Sequence, residues 1–401
     1  MRIAILTTSY PRFLRRLYLE IPGLEGKSYS LQLQARNDSM FALADFYSRG
    51  FQAHGQEAAE FHVNNPWLQH AWAREHGVAM EEPSAPDEAT LDVPGLKARA
   101  RALIKPLRPL VRRFVPPPLP AWQYRVLAAQ IEHYNPDVIY NQEPSTVSAA
   151  FLKRFRKSGR SIIAQVASAR PPWENFRDYD VVVSSLPNFV AHFRRNGVPS
   201  AYNRLAFEPS VFDRIGAQVR DISLSFVGSV AEVHKKRLAM LEYVAERLPL
   251  QIWGTDVERL PACSPLHRCY RGEAWGRTMF ELLGRSQITL NNHEAVAGIH
   301  ANNLRLYEAS GMGALQLVDH QSDLQGIYLP GEEVAAFDTL NDCVRQAERL
   351  MGDAALRNRI AQAGQKRAFE SHSYHRRTGE LLDIFTGVRA GEARRRWLES
   401  S

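Results

Sequence analysis

His300-Ala301-Asn302-Asn303-Leu304-Arg305-Leu306-Tyr307-Glu308-Ala309-Ser310-Gly311-Met312-Gly313-Ala314-Leu315 is the stretch from which the fold can be read. A polar loop runs into a helix-forming segment, and Gly313 stops it. The chain then enters Ala314-Leu315-Gln316-Leu317-Val318, a run suited to a buried strand. Upstream, Gln287-Ile288-Thr289-Leu290 has the same character. Strand, loop, helix, strand is one βαβ unit. A helix that begins just after a strand aims its free N–H groups and positive dipole end at whatever binds there, and a diphosphate suits that end well.

The same alternation extends in both directions. Ile222-Ser223-Leu224-Ser225-Phe226-Val227 ends at Gly228, a helix is expected over 231–247, and a strand follows around Gln251-Ile252-Trp253. Toward the N-terminus, strands are expected at 3–6, 60–63, 137–140, 162–166 and 180–183, with helices over 31–54, 67–76, 145–158 and 187–197. Helices are expected over 339–369 and 373–386. The pattern is α/β: two Rossmann-like lobes joined near 205–220 and facing a deep cleft, with a C-terminal helix long enough to cross back to the first lobe. The divisions read as residues 1–208, 209–372 and 373–401, with a Pro-bracketed insertion at about 83–120.

Composition excludes several classes of protein. With 401 residues, 45% hydrophobic and 23% charged, the chain is neither disordered nor fibrous. Cys263, Cys269 and Cys343 lack the paired spacing of a zinc site or disulfide framework. No apolar run approaches the roughly 20 residues of a membrane span. The opening Met1-Arg2-Ile3-Ala4-Ile5-Leu6 reads as a first strand, which fits a cytoplasmic protein.

The net charge is +7, from 50 Lys and Arg against 43 Asp and Glu. No acidic residue lies between Asp92 and Glu132, where Lys97, Arg99, Arg101, Lys105, Arg108, Arg112, Arg113 and Arg125 stand. The rest of the chain is close to neutral, so a uniformly basic nucleic-acid surface is not expected. Over 97–113, basic and apolar residues form neighbouring faces at helical spacing. That suits peripheral contact with an anionic membrane at its inner face; the plainer alternative is a solvated insertion.

The segment 300–315 resembles the signature of GT-B glycosyltransferases of the group 1 type, closest to the CgeB-like (spore-maturation-protein-like) branch, whose pattern runs roughly N-x-R-x-x-E-x-x-x-x-G-A. Phe226-Val227-Gly228-Ser229 is similar to the opening of that family's donor lobe. His234-Lys235-Lys236-Arg237 stands where the family carries a basic residue for the donor diphosphate, and Tyr270-Arg271-Gly272 resembles its nucleotide-base loop. In the first lobe, 38–55, 64–77, 184–198 and 207–209 are similar to the acceptor half, and 372–385 to the crossing helix.

The resemblance implies transfer of a sugar from a nucleoside-diphosphate sugar to a glycan, glycolipid or protein acceptor in cell-surface polysaccharide or glycoconjugate biosynthesis. It implies no cofactor beyond the donor and no metal, since protein charges would carry the leaving diphosphate. The donor set it implies is Gly228, Ser229, Lys236, Arg237, Arg271, Gly272, Asn302, Asn303, Leu304, Arg305 and Glu308. Glu308 would accept hydrogen bonds from a ribose diol; a capping or surface role is its alternative.

Retaining members of the broader group place a glutamate eight positions before this one, where His300 stands here. That departure leaves the stereochemical outcome open. An inverting enzyme needs a base in the first lobe. Asp38 and His62 are candidates, against the readings of Asp38 as a helix N-cap and His62 as a structural residue. Asn64 and Gln142-Glu143 would hydrogen-bond an acceptor sugar, and His293-Glu294 either faces the donor or is a solvated loop. Arg394-Arg395-Arg396-Trp397 reads as a frayed end. Two alternatives remain: a nucleotide-sugar 2-epimerase of the same fold, and a membrane-surface module with a degenerate enzyme lobe.

Overall fold

The computed structural model describes residues 1–80, 119–157, 159–167, 173–231, 234–293 and 295–398. The insertion at about 83–120 falls almost wholly outside them, so the basic stretch 97–113 lies outside the described residues.

Two parallel sheets form the framework. The first has six strands in the order β2-β1-β3-β4-β5-β6. These are β1 (Arg2–Thr7), β2 (Glu57–His62), β3 (Val138–Asn141), β4 (Ser161–Gln165), β5 (Val181–Ser184) and β6 (Ser200–Tyr202). The second has five strands, β7 (Ile222–Val227), β8 (Leu250–Trp253), β9 (Ser286–Asn291), β10 (Leu315–Asp319) and β11 (Ala335–Phe337), ordered β11-β10-β9-β7-β8. The central strands are buried along almost all of their length, which their largely apolar sequences require. In each sheet the order reverses beside the first strand: between β1 and β3 in one lobe, between β7 and β9 in the other. Crevices at such reversals, beyond the strand C-termini, are where α/β sheets bind ligands.

The C-terminal helix crosses back. The helix Tyr374–Arg389 packs against the first-lobe helix Phe46–Ala53, with the Phe385 ring 5.6 Å from Phe51 and 5.3 Å from Tyr140. Gly50 permits the approach, because a Cβ there would lie 2.7 Å from the Thr378 hydroxyl. Fully burying a side chain such as Phe385 stabilises by roughly 1.5–3 kcal/mol. The crossing helix therefore belongs to the first lobe's core, although it follows the second in sequence.

The lobes also meet directly. Arg12 pairs with Glu273 and Glu258, and the Trp275 ring lies 6.3 Å from Tyr10 and 5.2 Å from Phe41. Asn188 Nδ2 donates to the Val296 carbonyl at 3.1 Å.

The structure departs from the sequence reading in several places, and the helix expected over 339–369 is two helices, Leu340–Gly352 and Ala354–Ser371, meeting at Asp353. The helix expected over 31–54 is two helices, Tyr29–Asp38 and Phe46–Ala53. Between them Met40, Ala42 and Ala44 take positive φ, costly for residues with a Cβ. The cause is tertiary: the Ser39 carbonyl accepts from Arg277 N at 2.8 Å, and Phe41 packs on Trp275 of the other lobe. The helix expected over 145–158 is one short turn, Ala149–Leu152, followed by a 3₁₀ turn. Strands β6 and β11 escaped the pattern because three residues carry no periodicity. The tail is the helix Ala393–Trp397, whose Trp397 is buried against Gly387.

Candidate functional site

The helix Leu304–Gly311 starts at the second lobe's crevice because its first residues are stitched to both central strands. Asn303 caps it: Oδ1 accepts from Leu306 N at 2.9 Å. The Asn303 Nδ2 donates to Asn291 Oδ1 and to the Asn292 carbonyl, each at 3.1 Å, just past β9. Arg305 Nε donates to the Val227 carbonyl at the end of β7, at 3.1 Å. The N–H groups of Leu304 and Arg305 have no intrahelical partner. They therefore open, with Asn302, at the place where β7 and β9 diverge.

Glu308 sits one turn on. It is 7% exposed, and its Oε2 lies 2.9 Å from Arg305 Nη1. Burial pushes the Glu308 carboxyl upward, and the Arg305 charge opposes that rise. Burial also lowers the Arg305 guanidinium, which Glu308 in turn holds protonated. The sequence alternative of a surface role for Glu308 is excluded by this burial.

The loops after β7 and β8 form a tight backbone floor. A Cβ on Gly254 would lie 1.8 Å from the Gly228 carbonyl, so only glycine fits. Gly254 N donates to the Gly272 carbonyl at 3.0 Å, and Gly272 has φ +113°. Ser229 Oγ donates to Asp256 at 3.2 Å. Arg237 braces this floor: Nη1 donates to the Ser229 carbonyl at 3.0 Å and Nε to Asn292 Oδ1 at 2.8 Å. Lys235 and Lys236 open the helix Lys235–Ala245 and are exposed. Arg271 is exposed and folds onto the Arg268 and Tyr270 carbonyls. Gly228, Ser229, Arg237, Asn303, Arg305 and Glu308 thus come together, with Lys236 and Arg271 at the margin.

His300 is oriented by a residue the sequence did not suggest. Its Nδ1 lies 2.9 Å from Asp323 Oδ2, while Asp323 Oδ1 accepts from Ala301 N at 2.6 Å. His293, after β9, is buried, with Nδ1 2.8 Å from Asp319 Oδ1. It is therefore no solvated loop residue. Asp319 ends β10 and Asp323 follows it, and the apolar run of that strand is their one signal in the sequence.

On the first lobe the two base candidates are placed differently from expectation. Asp38 closes the helix Tyr29–Asp38 rather than capping the next, and its carboxylate, 54% exposed, lies 2.8 Å from Arg214 Nη2. It serves there as an ion-pair partner to the helix Pro209–Ile215. His62 ends β2 but is 1% exposed. Burial, with the nearby Arg36 charge, drives its pKa well below the ordinary imidazole value and keeps the ring neutral. Beside it lie Arg36, lowered by burial to about 10, and Glu60, raised by burial to about 7.

The first-lobe crevice itself is formed by other groups. Asn64 pairs with Ser9 through both its amide atoms, Oδ1 accepting from Ser9 N at 2.9 Å and Nδ2 donating to the Ser9 carbonyl at 2.8 Å. Glu143 follows β3, its N donating to Asn141 Oδ1 at 3.0 Å. Burial raises its carboxyl, and the Thr8 hydroxyl beside it, at the end of β1, moderates the rise. Among the described residues no group of three or more His, Cys, Asp or Glu side chains converges as a metal site, and no helix is long and apolar enough to cross a membrane.

Residues 236–383 match a family model described as glycosyl transferase-like. No curated protein matches the chain. Among solved structures it is similar to AviGT4, a glycosyltransferase involved in avilamycin A biosynthesis: 14% identity, TM-score 0.54, 98% of each chain covered. It is similar to a glycosyltransferase from Rickettsia africae, with 11% identity, TM-score 0.55, and 96% and 98% of the chains covered. Anabaena HepE, solved in complex with UDP-glucose, matches at 10% identity and TM-score 0.56, over 96% of this chain and all of its own. The two parallel sheets with their flanking helices have the GT-B fold of these glycosyltransferase structures, and residues 236–383, most of the second lobe and part of the crossing helix, carry the glycosyl transferase-like match.

Proposed function

We propose that this chain transfers a sugar from a nucleoside-diphosphate sugar to a glycan, glycolipid or protein acceptor, and that it stands in the CgeB-like branch. The observation that carries the reading is the capped helix Leu304–Gly311, opening onto the β7–β9 crevice with the Glu308–Arg305 pair behind its first turn. A departing diphosphate gains negative charge as its bond to the sugar breaks. The first-turn N–H groups, with Lys236, meet that charge without reorganising. Arg237 and Asn303 hold the receiving loops in place, and Glu308 accepts from the ribose diol. These protein charges do the work a metal would otherwise do, and His300, oriented by Asp323, stands at the donor sugar.

UDP and UDP-glucose are the first probes, since HepE is a fold neighbour solved with the latter. The test is a nucleotide and nucleotide-sugar panel read by thermal shift and calorimetry. A ligand binding only the native state raises its stability. Binding by wild type, weakened in Glu308→Ala and Lys236→Ala, is the expected result; no nucleotide binding by wild type overturns the reading. Formation of an epimer without acceptor would replace transfer by 2-epimerisation. The proposed setting is cytoplasmic, in cell-surface glycoconjugate synthesis. Contact of residues 97–113 with an anionic membrane is tested by liposome co-sedimentation with and without that stretch.

A further inference from the structure

A cavity lies at the base of the first lobe, beside the N-terminal ends of β4, β5 and β6 and so at the opposite edge of the sheet from the cleft. Its volume is about 700 Å³, the size of a small-molecule site rather than of a groove for a macromolecule. The crossing helix and the tail helix Ala393–Trp397 close one side of it, through Arg389 and Arg394. Among the described residues four arginines line it, Arg160, Arg177, Arg389 and Arg394, against one carboxylate, Asp180. The tail arginines that read as a frayed end in the sequence thus reach a built wall.

The carboxylate is already engaged. Asp180 Oδ1 lies 2.8 Å from Arg156 Nη1, which does not line the cavity, and Oδ2 accepts from Ile162 N at 2.7 Å. Arg160 is 8% exposed, and its guanidinium donates to the Pro136 and Phe155 carbonyls and to Asn135 Oδ1, at 2.8, 2.9 and 3.0 Å. Those bonds fix it in place, but among the described residues it forms no ion pair. Arg389 bonds through Nη1 alone, to the Gly159 and Asp137 carbonyls, with the Asp137 carboxylate 3.6 Å away. The Arg394 side chain forms neither a hydrogen bond nor an ion pair among the described residues. Compensation of helix ends does not account for this set: Arg389 donates to first-lobe carbonyls rather than to its own helix, and Arg394 opens the tail helix rather than closing it. A concave wall with such an excess focuses a positive potential, and a buried cation without a counter-ion is costly.

We infer that this cavity is an anion site, separate from the donor crevice, and that its ligand is a phosphate-bearing molecule with at least two negative charges. Guanidinium forks bind phosphate oxygens in pairs, which a rigid Arg160 and the open edges of Arg389 and Arg394 suit. A lone carboxylate would leave most of the excess charge unmatched. A soluble phosphate compound and a phospholipid headgroup share this chemistry. The site also touches the joint between the lobes at one remove. Its Arg389 ends the helix that begins at Tyr374, whose N–H donates to the Phe207 carbonyl at 3.1 Å where the chain passes between lobes. A bound anion would therefore steady the crossing helix at its far end. The inference does not depend on the glycosyltransferase reading.

The soluble probe is inorganic pyrophosphate, titrated by calorimetry into wild type, Arg394→Gln, and the double variant Arg389→Gln, Arg394→Gln. Arg394→Gln is expected to weaken binding about 3- to 10-fold and the double variant roughly 10- to 100-fold, as bonds to a charged group are lost. Arg394 holds nothing in the fold, so the single variant keeps the wild-type melting temperature and reports on binding alone. Hydrogen exchange locates the site: pyrophosphate is expected to slow exchange over residues 386–394 in wild type and not in the double variant. Vesicles of phosphatidylglycerol in phosphatidylcholine form the second arm. Pelleting that falls in the double variant and is competed by pyrophosphate assigns the headgroup as ligand. Pyrophosphate binding with equal pelleting of wild type and double variant assigns a soluble phosphate compound.

Equal pyrophosphate affinity in wild type and the double variant would place any binding elsewhere and overturn the inference. So would a wild type that binds no pyrophosphate and pellets with the vesicles no better than the double variant.

Discussion

Glu308 and Arg305 make opposite demands on the donor lobe, and removing one of them exposes which is structural. The two side chains are 9% and 17% exposed and 2.9 Å apart. Glu308→Ala leaves the Arg305 charge uncompensated in a site that disfavours it. Breaking such a pair costs about 3–5 kcal/mol, and the lower end applies because Arg305 keeps its bond to the Val227 carbonyl. For a lobe of this size that is roughly a 6–10 °C fall in melting temperature. The double variant Arg305→Met, Glu308→Leu removes both charges at similar volume and is expected to recover most of that loss, since replacing a buried pair by apolar groups is often near neutral. UDP affinity should separate from stability. It falls roughly 10- to 100-fold in Glu308→Ala and stays low in the stable double variant, because the diol has lost its carboxylate. Thermal denaturation and UDP calorimetry on the three proteins decide it. Full UDP affinity in the double variant would refute a ligand role for Glu308, and an unchanged melting temperature in Glu308→Ala would refute the buried pair.

Three further outcomes follow from the geometry. Asp38→Asn removes an exposed ion pair with Arg214, so stability should change by about 1 kcal/mol or less and turnover not at all; a loss above roughly 100-fold in turnover would restore Asp38 as the base. Gly254→Ala places a Cβ 1.8 Å from the Gly228 carbonyl, and since neither backbone can yield cheaply it should cost at least about 2–3 kcal/mol and weaken UDP, read by urea denaturation and calorimetry. Glu60, raised to about 7 from 4.5, binds its proton more tightly folded than unfolded. Its contribution therefore favours folding at low pH and is lost as pH rises from about 4.5 to 7, by about 3 kcal/mol. Urea midpoints for wild type and Glu60→Gln at pH 5 and 8 check this: the variant should gain on wild type at pH 8, and a gain at pH 5 instead would reverse the assignment.

The framework was legible because buried parallel strands leave short, mostly apolar runs between helical stretches. Ile222–Val227 was read to the residue, and β1 and β9 to within one at each end. The break between the helices Tyr29–Asp38 and Phe46–Ala53 has its origin in a contact between the lobes. Nothing local in Ser39-Met40-Phe41-Ala42 signals a helix break. The break exists because Gly276, whose Cβ would fall 2.0 Å from the Ser39 carbonyl, brings the other lobe that close. Trp397 likewise looked like part of a polar tail, yet it is buried by a helix that ends eight residues earlier.

The two halves of the candidate site differed in legibility for a physical reason. In the proposed reading a nucleoside diphosphate would meet backbone N–H groups at one helix start and a carboxylate one turn on, so much of that candidate site is one continuous segment, 302–308. Its partners add single residues at fixed places after neighbouring strands. The acceptor crevice has no such segment. Tyr10 follows β1, Asn64 follows β2 and Glu143 follows β3, drawn together only by the strand order β2-β1-β3. Candidate bases sought by residue type alone gave Asp38 and His62, and folding put one into an ion pair and sealed the other from solvent. Topology is therefore the missing term: that β1 lies between β2 and β3, which carries Tyr10, Asn64 and Glu143 to one end of the sheet at its reversal, is written in no single segment of the sequence.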